Sequence, residues 1–311
     1  MGLRISGDNE RIHIPRLVGR MEAPSTDFSF RGMATHDRLG GVGLWSKDLK
    51  SYRRPGTSAM LTAYELGHPK PTRTLLLPAV PVRSARAARM PDDGWVIGGQ
   101  TDAGTQLLRV VTSTGATQAE CTPLDKIDQI VTDSDGFVWV LGSALTKYDR
   151  ELRQLWQSPG GIRDDWSTDA VNLGPAEVLA AQSDSDGNAV VLRIRDGHDT
   201  AVIPVHQVEC VDLVIAADGW LGIAGDIEPT MIIGTVTGEA FEERFRVRLA
   251  EDDRHSLVID ETACAGDTAY LDDGYQWSVL TLGELLADPP QPAPQDAAPP
   301  PRRGWFGWGR D

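Results

Sequence analysis

The stretch DSDGFVWVLGSALTKYDRELRQLW, residues 133–156, contains three short β-like runs in succession. An acidic turn that ends at Gly136 leads into an apolar run carrying Trp139, and a Gly-Ser break and a polar turn separate the two runs that follow. Apolar runs of this length, bounded by Gly, Asp and Ser, are typical of antiparallel strands joined by short hairpins. The stretch therefore predicts a β meander.

Similar turns recur along the chain. The segments DDGWVIGGQ (92–100) and AADGWLGIAGD (216–226) have the same acidic-Gly turn before a Trp-bearing run. Weaker copies are LGGVGLWS (39–46), LGPAE (173–177) and CAGDTAYLDDG (264–274). These breaks are about 40 to 55 residues apart, and each interval divides into four short β-like runs. That period is typical of a β-propeller, in which each blade is a four-stranded antiparallel sheet.

Counting the breaks predicts an all-β, six-bladed propeller, with five or seven blades as the alternatives. The C-terminal interval offers three strand-like runs, whereas the N-terminal run RIHIPRLV (11–18) has no partner of its own. A propeller must hide the edges of its first and last blades, so we expect this N-terminal strand to complete the last blade. The segment TLGELLADP (281–289) is the one short helical candidate.

Three tryptophans follow the turn glycines at odd offsets. Trp95 and Trp220 come one residue after their glycines, and Trp139 comes three residues after Gly136. Because side chains alternate between the two faces of a strand, odd offsets predict that the three rings share one face. We interpret them as core residues between packed blades rather than as a carbohydrate-binding platform.

The segment D-x-D-G-F-V-W-V-L-G-S at 133–143 resembles the two-component-regulator type of propeller repeat, and also the NHL and gluconolactonase-like propellers. The resemblance is clear over about one blade and extends loosely over residues 24–286. It implies the propeller fold but no single function, because such propellers serve as sensors, scaffolds and enzymes. Gluconolactonase-like propellers hold a divalent ion at the axis with Glu, Asn and Asp side chains. The corresponding candidates here are Asn172, Asp169, Asp128 and Asp212.

Other catalytic and metal-binding patterns are weak. The two DxDG turns (133–136 and 184–187) lack the bidentate carboxylate that an EF-hand loop needs at its last position, so we interpret them as hairpin turns. The six histidines are scattered without an HExxH, and the sequence contains no GxSxG and no GxxxxGK. We therefore predict no catalytic residues, no metal site and no cofactor.

Composition limits the classes of partner. A formal net charge of -15 and a pI near 4.8 argue against nucleic-acid binding, which needs a concentrated basic surface. Three widely spaced cysteines without a CxxC fit a reducing compartment. The first residues resemble no secretory signal, and no apolar run is long enough for a membrane span. We expect a cytoplasmic protein, and the abundance of Ala, Arg and Gly suggests a bacterial one.

The C-terminal end differs from the rest of the chain. We divide the protein into a propeller (1–287), a Pro-rich linker expected to be disordered (288–301) and an aromatic-basic peptide (302–311). Aromatic side chains on a linker that cannot pack a core favour contact with another surface. The predicted contact residues are Arg302, Arg303, Trp305, Phe306 and Trp308.

Three surfaces compete for this peptide: a partner protein, which we favour, a membrane interface, and the propeller's own face. Few apolar residues and three arginines leave at most a weak peripheral membrane contact. We therefore expect a non-enzymatic binding or scaffold protein whose tail contacts a partner. The alternatives are a hydrolase or lyase with an axial, metal-assisted site, and a ligand-sensing domain.

Overall fold

The computed structural model describes residues 10–19, 29–37, 40–46, 57–64, 70–80, 82–158, 169–173, 177–183, 189–195, 199–205, 208, 211–225, 230–250, 261–272 and 277–287. Most of them lie in β-strands and one short helix is present, which confirms the all-β prediction. The strands are β1 (Glu10–His13), β2 (Arg16–Gly19), β3 (Ser29–Asp37), β4 (Gly40–Ser46), β5 (Thr57–Tyr64), β6 (Pro71–Val80), β7 (Arg83–Arg89), β8 (Trp95–Gln100), β9 (Gln106–Val111), β10 (Thr117–Cys121), β11 (Gln129–Thr132), β12 (Val138–Leu141), β13 (Leu145–Tyr148), β14 (Gln154–Gln157), β15 (Asp169–Leu173), β16 (Glu177–Ser183), β17 (Ala189–Arg195), β18 (Asp199–Val205), β19 (Val211–Ala217), β20 (Trp220–Gly225), β21 (Thr230–Thr237), β22 (Ala240–Leu249), β23 (Glu261–Ala265), β24 (Thr268–Asp272) and β25 (Trp277–Thr281).

Within the described residues, consecutive antiparallel strands form six units. Units 1 to 4 are β3–β6, β7–β10, β11–β14 and β15–β18. Unit 5 is β19–β22, with β1 added in parallel to its outer strand, and unit 6 is β23–β25 with β2 beside β25. Units 4 and 6 join into one eight-stranded sheet, because β15 and β23 pair in parallel at Asn172 and Cys264.

Each described unit packs face to face against the next. Successive apolar clusters fill the spaces between units 1 and 2, 2 and 3, 3 and 4, 4 and 5, and 5 and 6. The first strands of the six units also contact one another, and β3 of unit 1 lies against β23 and β24 of unit 6. Most strands are therefore covered on both faces, and the core is divided among the inter-unit spaces.

The predicted N-terminal strand forms two strands instead of one. Residues 10–13 lie beside β22 and residues 16–19 lie beside β25, with Ile14 and Pro15 between them. Pro15 has no N–H to donate to a ladder, which is consistent with a break at this position. The N-terminal segment therefore spans the outer edges of units 5 and 6.

The expected burial of the tryptophans is confirmed for Trp95 and Trp139, each 2% exposed, whereas Trp220 is half-buried. The expected common face is wrong. Trp95 packs toward the preceding unit, while Trp139 and Trp220 pack toward the following one. The reason lies in the turns: the residue with positive φ is Asp93 in unit 2 (71°) and Gly136 in unit 3 (82°). Gly94 is therefore not the equivalent of Gly136. Counted from the residue with positive φ, Trp95 and Trp139 occupy positions that differ by one residue, so their side chains lie on opposite faces.

The short helical candidate is confirmed as α1 (Leu282–Leu286). Thr281 accepts a hydrogen bond from the backbone N–H of Glu284, whose side chain accepts one from the backbone of Thr281, forming a capping box. Leu282 and Leu285 are buried in the core between units 5 and 6. In the described part of the chain, no helix is long and apolar enough to cross a membrane.

Candidate functional site

The predicted contact residues of the C-terminal peptide, Arg302, Arg303, Trp305, Phe306 and Trp308, lie outside the described residues. The linker 288–301 does as well. Among the axial candidates, the side chain of Asp169 is likewise not described, although its backbone belongs to β15.

Asn172, the axial candidate with the clearest geometry, acts as a brace between strands. Its side chain is 1% exposed, and its Nδ2 donates to the carbonyls of Val214 (2.8 Å) and Gly266 (2.7 Å). Its Oδ1 accepts from the N–H of Gly266 at 2.7 Å. These three bonds join units 4, 5 and 6 and occupy both ends of the amide. This amide is therefore used for packing rather than presented to a ligand.

Polar side chains also link neighbouring units through the first strand of each unit, β7, β11 and β15. Arg86 Nε donates to the carbonyl of Asp128 at 2.8 Å, and the hydroxyl of Thr132 donates to the carbonyl of Arg89. The N–H of Val171 donates to Gln129 Oε1 at 2.8 Å. Each link spans 42 or 43 residues along the chain, about one unit. Polar side chains at the centre thus align neighbouring units.

The two remaining axial candidates take part in similar contacts. The carboxylate of Asp128 pairs with Lys126 at 2.7 Å, and the carbonyl of Asp212 accepts from the hydroxyl of Thr262. Among the described residues, no three His, Cys, Asp or Glu side chains are grouped so that they could bind one metal ion. In the described part of the chain, Asp212 and Asn172 therefore take part in hydrogen bonds that link neighbouring units.

The first DxDG turn is stabilised by its own carboxylate. Asp133 Oδ1 accepts from the N–H groups of Asp135 (3.1 Å) and Phe137 (2.9 Å), and Oδ2 accepts from Trp139 Nε1 (3.0 Å). Asp149 stabilises the next turn in the same way, accepting from the N–H groups of Glu151 and Arg153. These contacts support the hairpin-turn interpretation for residues 133–136; the second DxDG turn lies outside the described residues.

A cavity of about 200 Å³ opens between units 2 and 3. One wall is the connection from β10 to β11, residues 121–126, and the other comes from β12, β13, β14 and their turns. A Cβ at Gly142 would collide with the carbonyl of Lys126, so this close approach requires glycine. We call this cavity the inter-unit pocket.

Two weak acids in the inter-unit pocket are held in their neutral forms. Burial, followed by the nearby Glu120, raises the pKa of the Cys121 thiol to about 11. Burial, followed by Cys121 and Asp125, raises the pKa of Tyr148 to about 12, against the lowering effect of a hydrogen bond with Thr146. Both groups are therefore protonated at neutral pH, and Cys121 lacks the lowered pKa of a catalytic thiolate.

The pocket contains one carboxylate that the described residues leave without an ion pair. Of the two charged residues that line it, Lys126 pairs with Asp128 at 2.7 Å, and Asp125 pairs with no basic side chain in the described part of the chain. Gln154 Nε2 donates to Gln157 Oε1 at 3.2 Å, and Gln157 Nε2 donates to Asp125 Oδ2 at 3.3 Å. This chain of amides orients the carboxylate.

The rim of the pocket is apolar on one side. Leu124, one of the residues that line the pocket, is fully exposed. A fully exposed leucine beside a cavity is the kind of surface that a docking side chain covers. No sequence pattern indicates this pocket, because its walls come from two separate segments and single acidic or glutamine residues in loops are not distinctive.

No protein-family model and no curated protein matches the sequence. Among solved structures, that of Kluyveromyces lactis Hsv2p is similar over 83% of this chain and 75% of its own, with a TM-score of 0.47 and 11% sequence identity.

Proposed function

We propose that the protein is a six-bladed β-propeller that serves as a binding scaffold, with its C-terminal peptide contacting a partner protein. The packing of each described unit against the next supports the blade arrangement. The contacts of β3 with β23 and β24 support a closed ring, because they bring the first and last units together. The pairing of β2 with β25 supplies the strand that would seal it.

The observation that carries the scaffold function is the way in which the tail is attached. Helix α1 is capped at Thr281 and anchored by Leu282 and Leu285 between units 5 and 6. The Pro-rich linker 288–301 follows directly, and the residues Arg302, Arg303, Trp305, Phe306 and Trp308 come after it. A contact peptide on a linker with a fixed origin raises the local concentration of whatever it binds.

Two observations favour binding over catalysis. Asn172, the axial residue suited to a metal-assisted reaction, is fully engaged by backbone groups. Cys121, the thiol beside the pocket, is held protonated by its surroundings. A catalytic group needs a pKa near the working pH or an activated nucleophile, and neither residue has that environment.

The test compares partner capture by the full chain, by a chain ending at Asp288, and by the triple variant Trp305→Ala, Phe306→Ala, Trp308→Ala. We expect both altered chains to lose the partner, which quantitative mass spectrometry of the captured proteins would measure. The matched control is Gln291→Ala with Gln295→Ala, which changes the linker and keeps the peptide. Equal recovery of every protein by all four chains would refute the proposed role of the tail.

A further inference from the structure

The inter-unit pocket has the size of one side chain. Its volume of about 200 Å³ is below the roughly 300–1,000 Å³ of sites for small organic ligands. Its walls include the apolar side chains of Val140, Ala144 and Leu152, and its polar groups are grouped around Asp125. A long side chain with an apolar stem and a charged end fits such a pocket better than a compact ion.

The carboxylate of Asp125 favours a ligand with a positive charge. Asp125 is held by Gln157 through Oδ2, and its Oδ1 receives no hydrogen bond from the described residues. The hydroxyls of Thr146 and Tyr148 also line the pocket, and a hydroxyl oxygen can accept a hydrogen bond. A guanidinium carries several donors in a fixed plane and pairs well with a carboxylate plus neighbouring oxygens. The pocket therefore favours an arginine.

The exposed Leu124 at the rim favours an apolar residue close to that arginine. Leu124 is fully exposed, next to the pocket mouth. An aromatic residue two or three positions from the arginine would cover it and remove apolar surface from water. In this chain, that combination occurs in RRGWFGWGR at 302–310, where Trp305 follows Arg303 by two residues.

We infer that the inter-unit pocket binds Arg302 or Arg303 of the same chain, with Trp305 or Phe306 against Leu124. The linker of residues 288–301 spans roughly 40 Å at about 3.1 Å per residue when it is extended. A compact protein of this size has a radius of gyration of roughly 19 Å, so that reach is comparable with the width of the molecule. Because the linker keeps the peptide at an effective concentration near the millimolar range, weak docking suffices.

This docking goes beyond the proposed function, because it requires no partner. It gives the peptide two alternative sites, the pocket of its own chain and the surface of a partner. The two compete for the same aromatic and basic residues, so the docked state lowers the apparent affinity for the partner by the fraction of peptide that it holds.

Trypsin cleavage of the full chain tests the inference, because trypsin cuts after Arg302 and Arg303. We expect cleavage there to be about tenfold slower in the parent than in Asp125→Asn or Leu124→Ser, as for a segment docked roughly nine-tenths of the time. Intact-mass measurement of the released C-terminal peptide gives the rate. Asp102→Asn, which removes one exposed charge from the β8–β9 turn, is the matched control and should cleave at the parent rate.

Dilution distinguishes the chain's own tail from that of a second copy. Protection by the same chain is unchanged over a roughly hundredfold dilution, whereas protection by a second copy declines. Equal cleavage rates in the parent, Asp125→Asn and Leu124→Ser would overturn the inference, as would protection that is lost on dilution. Neither result contradicts the proposed scaffold function, because partner capture is a separate measurement.

Discussion

Replacing Asn172 with alanine tests the brace at the centre of the fold. The substitution removes three hydrogen bonds of 2.7 to 2.8 Å from a side chain that is 1% exposed. Two groups then lose their partner, the buried carbonyl of Val214 and the half-buried N–H of Gly266. The carbonyl of Gly266 keeps the N–H of Ala216 at 3.0 Å, so it is not orphaned.

A buried carbonyl left without a partner costs about 1–3 kcal/mol, and the loss of a half-buried hydrogen bond costs about 0.5–1.5 kcal/mol, so we expect Asn172→Ala to lower the free energy of unfolding by about 1.5–4.5 kcal/mol. That is a large share of the roughly 5–15 kcal/mol that stabilises a typical domain. With an m value of about 3 kcal/mol per molar urea, the midpoint of unfolding should fall by roughly 0.5–1.5 M.

Urea unfolding followed by tryptophan fluorescence measures the change. The matched control is Gln118→Ala on the exposed outer strand β10, which should change the unfolding free energy by no more than about 0.5 kcal/mol. A loss below about 1 kcal/mol for Asn172→Ala would refute the reasoning, because the orphaned carbonyl of Val214 alone should cost at least that much.

Three further predictions concern single side chains. Burial, against the raising effect of Glu284, lowers the pKa of His13, so its contribution to stability is present above its ordinary pKa of 6.5 and is lost as the pH falls through the folded value. His13→Phe should therefore flatten that part of the curve of unfolding free energy against pH, and an unchanged slope would contradict this. Asp133→Ala should lower the free energy of unfolding by about 1–3 kcal/mol in urea titrations, because the N–H of Phe137 and the indole N–H of Trp139 lose their acceptor. An unchanged free energy of unfolding would show that Asp133 does not stabilise this turn. Burial raises the pKa of Cys121 to about 11, so its thiolate fraction is about a hundredfold smaller than that of an exposed thiol of pKa about 9. Because a thiolate of higher pKa is also more nucleophilic, iodoacetamide should label Cys121 at pH 7.5 roughly tenfold more slowly than the exposed thiol, and labelling at the ordinary rate would contradict the raised pKa.

The strands and the short helix were predictable because their signals are local. Turn residues and apolar runs mark strands one after another, and the apolar spacing after Thr281 marks α1. The face of Trp95 was not predictable from the glycine spacing, because an aspartate, Asp93, occupies the position with positive φ that glycine occupies in unit 3. The run RIHIPRLV predicts one continuous strand, whereas Pro15, which has no N–H to donate, separates β1 from β2.

The role of Asn172 and the inter-unit pocket depend on distant parts of the chain. Asn172 meets Gly266 across 94 residues, a relation set by how units 4 and 6 come together at β15 and β23. The pocket joins the 121–126 connection to Gln154 and Gln157 of β14. No local pattern encodes either contact, since each arises only when neighbouring units have packed.

A cross-link between the two ends of the folded chain tests the central claim, a ring sealed by the N-terminal strand. Leu17 and Ser278 are direct partners in the β2–β25 pair, and opposed residues of antiparallel strands lie within the Cα range of a disulfide. After Leu17→Cys and Ser278→Cys, oxidation of the native protein should join residues 17 and 278 within one chain, as peptide mass mapping would detect. Leu17→Cys combined with Gln118→Cys, which places the second thiol on unit 2, should not join. A native protein that fails to form the 17–278 bond, or that joins 17 to 118 equally well, would contradict the ring.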